Sequence, residues 1–266
     1  MERPKAQRLP NNRLHLQHGP IDLIISAKGD RESAFAAATE RFQSVLSELV
    51  AELPRLRRPL DGTPFSGPVA QRMARAVAAH MGTFVTPMAA VAGSVADEIL
   101  QSMTGSAHLS KAAVNNGGDI ALHLAPGERF ELAISSVAGR DLGRITITPE
   151  HRIGGVATSG RHGRSLSLGI ADSVTVLASS AAEADVAATL IANAVNLPGH
   201  PAVERAPARS IDPDSDLSDR LVTTRLGALS RDEVEAALRS GGEMAQDMLS
   251  ANHIAGAALF LNEQSV

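Results

Sequence analysis

The sequence predicts an α+β fold, in which a mostly antiparallel sheet is flanked by helices. Short apolar or alternating segments, separated by glycines or charged turns, fill the middle of the chain and are typical of strands joined as hairpins. Longer stretches whose apolar residues recur at helical spacing precede and follow them. A chain of 266 residues can bury one large core, so we expect a single domain over residues 1–266.

The elements follow from these patterns in order. The turn signal His18-Gly19-Pro20 joins two short strands, after which Pro54 closes a first helix and Pro87 precedes a third. The two strands and the first two helices are predicted at Arg13 to Gln17, Ile21 to Ser26, Glu32 to Leu53 and Val69 to Met81. The strands of the middle region are predicted at Ala112 to Val114, Asp119 to Leu124, Phe130 to Ser135, Gly143 to Thr148, Gly155 to Thr158 and Ser173 to Leu177.

The last part of the chain becomes helical again. Two Ser-x-x-Glu spacings, beginning at Ser180 and Ser230, are typical of capping boxes at helix N-termini. Between them, Pro198 to Asp219 is rich in Pro, Ser, Asp and Arg and predicts a long surface excursion, either a lid or a poorly ordered loop. The elements predicted here are a helix from Ala181 to about Ala194, a helix ending near Leu249 and a strand from Ile254 to Leu261.

Composition excludes several classes of function. The 25 basic and 29 acidic residues give a formal charge of −4 without a long basic run, so we expect no nucleic-acid partner. The absence of cysteine excludes disulfides and thiolate chemistry, so a metal would need oxygen or histidine ligands. The first thirty residues hold only a short apolar patch at 21–25, which predicts a cytoplasmic protein without signal peptide or membrane anchor. The high apolar content leaves homo-oligomer formation open.

Aromatic residues are scarce, with no Trp, no Tyr and six Phe. The protein therefore cannot stack a flat ligand on tyrosine or tryptophan. Recognition of a flavin or nucleotide would rest on backbone groups, small residues and aliphatic walls.

The first candidate site segment is Asn115-Asn116-Gly117-Gly118-Asp119, between two predicted strands. Paired glycines free the backbone to expose its amides and to lie against a ligand. A tight hairpin turn explains the same residues equally well.

The second segment, Ala157-Thr158-Ser159-Gly160, ends a predicted strand and leads to Arg161 and Arg164. Glycine-rich turns with exposed amides bind anions, and arginines hold phosphates through two parallel hydrogen bonds. The alternative is a solvated loop with charged tips.

The third feature is the pair Asp185 and Thr189, which are four residues apart on a predicted helix and so lie on one face. A carboxylate and a hydroxyl suit magnesium, which prefers few protein oxygens and completes its octahedron with water and phosphate. Ordinary helix chemistry explains the pair as well.

Taken together, the order of these segments resembles the ApbE family, which transfers FMN from FAD to proteins. The resemblance rests on a small-residue helix after Pro87, the Val-Asn-x-Gly-Gly-Asp turn, the Ala-Thr-Ser-Gly segment, and a Ser-Val-Thr-Val strand leading to Ala-Asp-x-x-x-Thr. It covers roughly residues 87–196. The stretches Pro87 to Gly93 and Asn115 to Asp119 are most similar to a cytosolic branch of that superfamily, with Thr86 and Asn115 as substitutions.

The resemblance implies roles for individual residues. Asp185 and Thr189 match the family's magnesium ligands, and Ala90 is a candidate ligand through its backbone carbonyl. The positions that match the flavin-nucleotide contacts and the pocket wall are Asn116, Gly117, Gly118, Asp119, Thr158, Ser159 and Gly160. The implied ligands are magnesium with FAD or FMN, and the implied partner is an acceptor protein.

The sequence differs from the ApbE family pattern at two places. The family's Ala-Lys-Gly is replaced by Ala92-Gly93-Ser94, and its His-Ile-x-Asp-Pro segment, which carries the proposed base, is absent before the Ser-Val-Thr-Val strand. His162 is a candidate to accept the proton because imidazole titrates near neutral pH. Asp172 is an equal candidate to activate a hydroxyl or to extend the metal shell.

Three functions remain open at this stage. The first is magnesium-dependent transfer of FMN from FAD to a protein, or hydrolysis of the FAD pyrophosphate. The second is binding of a flavin or nucleotide without turnover. The third is another reaction on the same scaffold, in sulfur or amino-acid metabolism, because a fold alone does not fix the chemistry.

Overall fold

The structure, a computed structural model, describes residues 3–135 and 141–266. These ranges contain thirteen strands, six α-helices and two short 3-10 helices. The strands are β1 (Lys5–Leu9), β2 (Arg13–His18), β3 (Ile21–Gly29), β4 (Leu109–Asn116), β5 (Asp119–Leu124), β6 (Phe130–Ser135), β7 (Asp141–Ile147), β8 (Gly155–Ser159), β9 (Ser173–Ala178), β10 (Val203–Pro207), β11 (Leu221–Leu226), β12 (Gly256–Leu261) and β13 (Gln264–Ser265). The helices are α1 (Arg31–Leu56), α2 (Pro68–Ala78), α3 (Val91–Ser106), α4 (Ala181–Ala194), α5 (Ala208–Ile211) and α6 (Arg231–Ser250), with 3-10 helices at Pro87–Ala90 and Pro149–His151.

One sheet of nine strands organises the molecule. Its order is β1-β2-β3-β4-β5-β8-β9-β12-β13, and every pair of neighbours is antiparallel. Two further hairpins, β6-β7 and β10-β11, stand apart from it. The predicted α+β class and the mostly antiparallel sheet are confirmed.

The main core lies between one face of this sheet and the helices. Side chains alternate along the strands, so that Leu14 and Leu16 of β2 and Leu23 and Ile25 of β3 are buried on the helix side. Helix α3 packs on β4 and β5, and α4 packs on β8 and β9. The remaining long helices pack mainly on these two, with α1 and α2 against α3 and α6 against α4.

A second, smaller core covers the opposite face of the sheet. The β6-β7 hairpin lies there, and Phe130 and Ile147 from the hairpin are buried with Leu122 and Val156 from the sheet. The strands that carry the Gly-Gly turn are therefore covered on both faces.

Glycines allow α4 to begin in close contact with its neighbours. A Cβ atom at Gly93 of α3 would lie 2.2 Å from the carbonyl oxygen of Ala181, and one at Gly155 of β8 would lie 2.1 Å from the nitrogen of the same residue. No real Cβ fits at such distances, so these positions require glycine. The small-residue segment thus brings two helices and a strand together at one point.

Several predicted bounds differ from the structure by up to three residues, and two of the differences have a physical reason. Helix α1 continues past Pro54 to Leu56. Pro54 removes one N–H from the helical hydrogen bonds, but only two residues of the helix follow it, and Leu56 is fully buried in the core. The predicted excursion at 198–219 contains regular structure, namely β10 and α5, and β10 pairs with β11. In the described part of the chain, no helix combines the length and apolarity needed to cross a membrane.

Candidate functional site

The centre of the candidate site is an acidic pair, Asp119 and Asp185, from two different elements. Asp119 begins β5, and Asp185 lies one turn into α4. Oδ2 of Asp185 accepts a hydrogen bond from the backbone N–H of Gly93 at 3.0 Å, and the amide of Ala92 also donates to this carboxylate. The first turn of α3 therefore holds one member of the pair in place.

Both carboxylates of the pair have raised pKa values. Burial raises the pKa of Asp185 well above its ordinary value, and the charge of Asp119 raises it further. Burial raises the pKa of Asp119 to about 7, against the opposing effects of the Thr158 amide and the Arg164 guanidinium. A carboxylate whose pKa is raised by burial and by a neighbouring carboxylate is stabilised by a bound cation or by a shared proton.

The Gly117-Gly118 turn joins β4 to β5 and leads directly into Asp119 of this pair. Both glycines have positive φ, +67° and +115°, which explains the residue type. Asn115 steadies the turn by accepting the N–H of Gly118 at 2.9 Å, and the buried Asn116 donates from Nδ2 to the carbonyl of Ala92 at 3.0 Å. The turn is therefore connected by a hydrogen bond to Ala92 of α3, whose backbone amide donates to Asp185.

Arg164 lies directly over this turn. A Cβ atom at Gly117 would come within 1.9 Å of Nη2 of Arg164, so the guanidinium occupies the space that a side chain at this position would take. Arg164 also lowers the pKa of Asp119 through its charge. The predicted phosphate-binding arginine and the Gly-Gly turn are thus brought together, with the guanidinium beside the acidic pair.

The Thr158-Ser159-Gly160 segment lies beside the pair. The amide of Thr158 donates to Asp119, and the Thr158 hydroxyl lies 2.9 Å from that of Thr175 on β9. A Cβ at Gly160 would lie 2.5 Å from the carbonyl oxygen of Asp172, so this turn packs closely against the start of β9.

His162 and Asp172 also come together. Nε2 of His162 lies 3.3 Å from Oδ1 of Asp172. The same oxygen accepts from Nε and Nη2 of Arg161 at 3.0 and 2.7 Å, and Oδ2 accepts from the N–H of Asn262 at 2.7 Å. Asp172 is therefore a fixed acceptor that orients the exposed imidazole of His162.

Asp97 is a site-supporting residue that the sequence analysis did not identify. Its two carboxylate oxygens accept the N–H groups of Ala181 and Ala182 at 3.1 and 3.0 Å, so it caps the N-terminus of α4 from α3. One sequence feature could have identified Asp97. It lies one helical turn after Gly93, so both residues lie on the face of α3 that meets α4. Burial raises its pKa above the ordinary value.

Two cavities border the site, one on each side of the sheet. The helix-side cavity, of about 650 Å3, lies beside Ala92, Asn116 and Arg164 and extends between α1 and α3. The outer cavity, of about 330 Å3, lies beside Gly118 and Thr158 and extends under the β6-β7 hairpin. Composition did not reveal either space, because both are formed by elements distant in sequence.

The donor set fits magnesium better than a transition metal. No group of three or more His, Cys, Asp or Glu side chains in the described residues is arranged to hold a metal ion. Magnesium, however, requires few carboxylates and retains water. Thr189 lies one turn after Asp185 on α4, and Ala90 is fully buried at the end of the 3-10 helix that leads into α3. The buried acidic pair, in which the charge of Asp119 raises the pKa of Asp185, is the observation that favours a cation here.

A model of the family described as AbpE bacteria matches residues 6–266. The chain belongs to this family. The resemblance to the ApbE-like superfamily that the motifs predict is thereby confirmed, and it extends from residues 87–196 to nearly the whole chain.

Relatives of the chain are found in archaea. It is 33% identical over 194 residues to a UPF0280 protein of Methanococcoides burtonii, covering 70% of this chain and 78% of that protein. It is 34% identical over 219 residues to a UPF0280 protein of Methanopyrus kandleri, covering 79% of this chain and 86% of that protein. Among solved structures, it is similar to the ApbE protein of Thermotoga maritima with a TM-score of 0.49 at 12% identity, over 96% of this chain and 94% of that one.

Proposed function

We propose that the protein binds FAD or FMN together with magnesium at the acidic pair, and that it transfers the FMN part of FAD to a hydroxyl group. Membership in the AbpE bacteria family supports the proposal. The single observation that carries it is the meeting of Asp119 and Asp185 with Arg164 at the Gly117-Gly118 turn.

Each group in this arrangement has a task in binding a pyrophosphate. Asp185, Thr189 and the carbonyl of Ala90 would hold magnesium, which supplies positive charge to phosphate oxygens. Arg164, whose charge acts on Asp119, supplies a second positive charge. Close approach of the phosphates to the backbone amides is possible because Gly117 and Gly118 lack side chains.

The reaction requires a group that accepts a proton. A hydroxyl oxygen of the acceptor forms a bond to the phosphorus next to FMN, the bond to the oxygen bridging the two phosphorus atoms breaks, and AMP leaves. The proton of the hydroxyl passes to His162, which Asp172 orients at 3.3 Å. With water in place of the acceptor hydroxyl, the same step gives hydrolysis of FAD to FMN and AMP.

The test is AMP release from FAD by the purified protein, with and without magnesium and with and without a peptide that contains Thr or Ser. We expect release only with magnesium, and none from Asp185→Asn. If the protein binds FAD but releases no AMP, the transferase proposal is wrong and the second candidate function, flavin binding without turnover, takes its place. Absence of both binding and release would contradict the proposal.

A further inference from the structure

The helix-side cavity and the candidate site share three residues. Ala92 donates its amide to Asp185 and accepts from Asn116, and both residues also line the cavity. Arg164 lines it too, while its charge acts on Asp119. A ligand with its phosphate at Arg164 therefore lies at the edge of this space.

The walls of the cavity are almost entirely aliphatic. Helix α1 contributes Leu49 and Leu53, and α3 contributes Val91 and Val95. Polar side chains lie where the cavity meets the site, at Asn116, Arg164 and Ser165, and Arg57 is engaged with Asp214 at 3.5 Å. Among the described residues, no aromatic side chain lines it. Such walls favour hydrocarbon and leave the hydrogen-bonding atoms of a polar ring without partners.

We propose that this cavity binds the hydrocarbon end of a ligand whose anionic group lies at Arg164. The inference rests on the proposed function and adds an orientation to it. The methyl-substituted benzene end of a flavin ring enters first, and the polar end of the ring stays at Asn116 and Ser165. Adenine has hydrogen-bonding atoms around its ring, so the cavity excludes it.

A single introduced tryptophan tests where the ring lies, because the chain contains no Trp and no Tyr. Val50 lines the cavity and is 40% exposed at its rim, which makes Val50→Trp a tolerated reporter. We expect riboflavin and FMN to shift its emission to shorter wavelengths by excluding water from the indole, and ADP with magnesium to cause no shift. The matched control is Val266→Trp, at a position 65% exposed beyond β13, whose emission should not change.

A second variant tests affinity. Leu53→Asp places a carboxylate in the cavity wall and should weaken FMN binding about tenfold or more, while ADP binding is unchanged. If circular dichroism shows that Leu53→Asp does not fold, Val50→Asp at the rim replaces it, with the same expected direction.

The outcomes separate this inference from the proposed function. If equilibrium dialysis shows FMN bound to Val50→Trp and the emission does not shift, the cavity is not the ring site and only this inference is overturned. A shift produced by ADP as strongly as by FMN overturns the preference for hydrocarbon. If FAD, FMN and ADP all fail to bind, the proposed function and this inference are both overturned.

Discussion

The backbone N–H of Gly93 donates to Oδ2 of Asp185 at 3.0 Å. The residue whose missing side chain lets α4 approach α3 is thus also the residue that holds the candidate metal-binding carboxylate. Close packing and site geometry depend on the same contact, so a change at Gly93 should affect both.

Gly93→Ala should destabilise the protein by about 2 kcal/mol or more, because its Cβ would overlap the backbone of Ala181 and force the two helices apart. The control is Gly105→Ala on the same helix, where a Cβ meets no atom within 4 Å. That variant should gain about 0.5 to 1 kcal/mol from improved helix propensity. Urea unfolding of both variants measures the difference. Equal stabilities would contradict the packing described for α3 and α4.

Asp97→Ala should cost about 1 to 3 kcal/mol, because the amides of Ala181 and Ala182 lose the carboxylate that accepts from them. Asp247, exposed on α6, provides the control, since its replacement by Ala should change stability by less than about 0.5 kcal/mol. Thermal unfolding of the two variants is the measurement. If the Asp97 cap contributed nothing to stability, Asp97→Ala and Asp247→Ala would have the same melting temperature.

Local patterns predicted the elements well where a residue type has one main structural use. Ser230 and Glu233 form both bonds of the predicted capping box. At the other predicted box, Ser180 accepts the N–H of Glu183 at 3.2 Å, but the Glu183 carboxylate accepts from the hydroxyl of Ser179. The hairpin at Gly117-Gly118 joins β4 and β5 as predicted. β1 was not predicted, because its side chains are mostly exposed and carry no apolar alternation.

The site was only partly predictable for a different reason. Asp185 could be proposed from its spacing to Thr189, but its proximity to Asp119 depends on the packing of α4 against the sheet. The position of Arg164 over Gly117 likewise depends on the path of a loop with no regular pattern. Sequence spacing gives neighbours within an element, whereas this site is built between elements.

Stability should fall below pH 6.5 because of His80. Burial lowers the pKa of His80 below its ordinary value, the neighbouring His253 lowers it further, and Glu183 opposes both. The unfolded chain therefore binds a proton more readily than the folded one, so the stabilisation is fully present above about pH 6.5 and is lost as the pH falls through the folded pKa. His80→Gln should flatten this part of the curve of unfolding free energy against pH. An unchanged slope would exclude His80 as the cause.

The 207–220 segment should open locally when Thr86 is changed. The Thr86 hydroxyl donates to Asp216, and the Arg220 guanidinium lies 3.2 Å from the ring centroid of Phe84, so the segment rests on the chain that leads to Ala90. Thr86→Val removes the donor to Asp216 without changing the shape of the side chain greatly. We expect faster hydrogen exchange and proteolysis within 207–220 than in the native protein, with little change in global unfolding. Protection equal to that of the native chain would contradict an anchoring role.

Asp185→Asn should separate stability from function. Without metal, the variant should be as stable as the native protein or more stable by about 1 kcal/mol, because it removes a buried charge that faces Asp119 while its amide oxygen still accepts from Gly93. Magnesium-dependent binding of FAD should be lost.

Asp172→Asn provides the control and should behave in the opposite way. It should lose about 1 to 2 kcal/mol of stability through weaker bonds to Arg161 and Asn262 but retain magnesium-dependent binding of FAD. Denaturant unfolding and isothermal titration with FAD and magnesium measure both quantities on each variant. If Asp185→Asn retained magnesium-dependent binding, the acidic pair would not be the metal site, since the charge that attracts the cation would have been removed without effect.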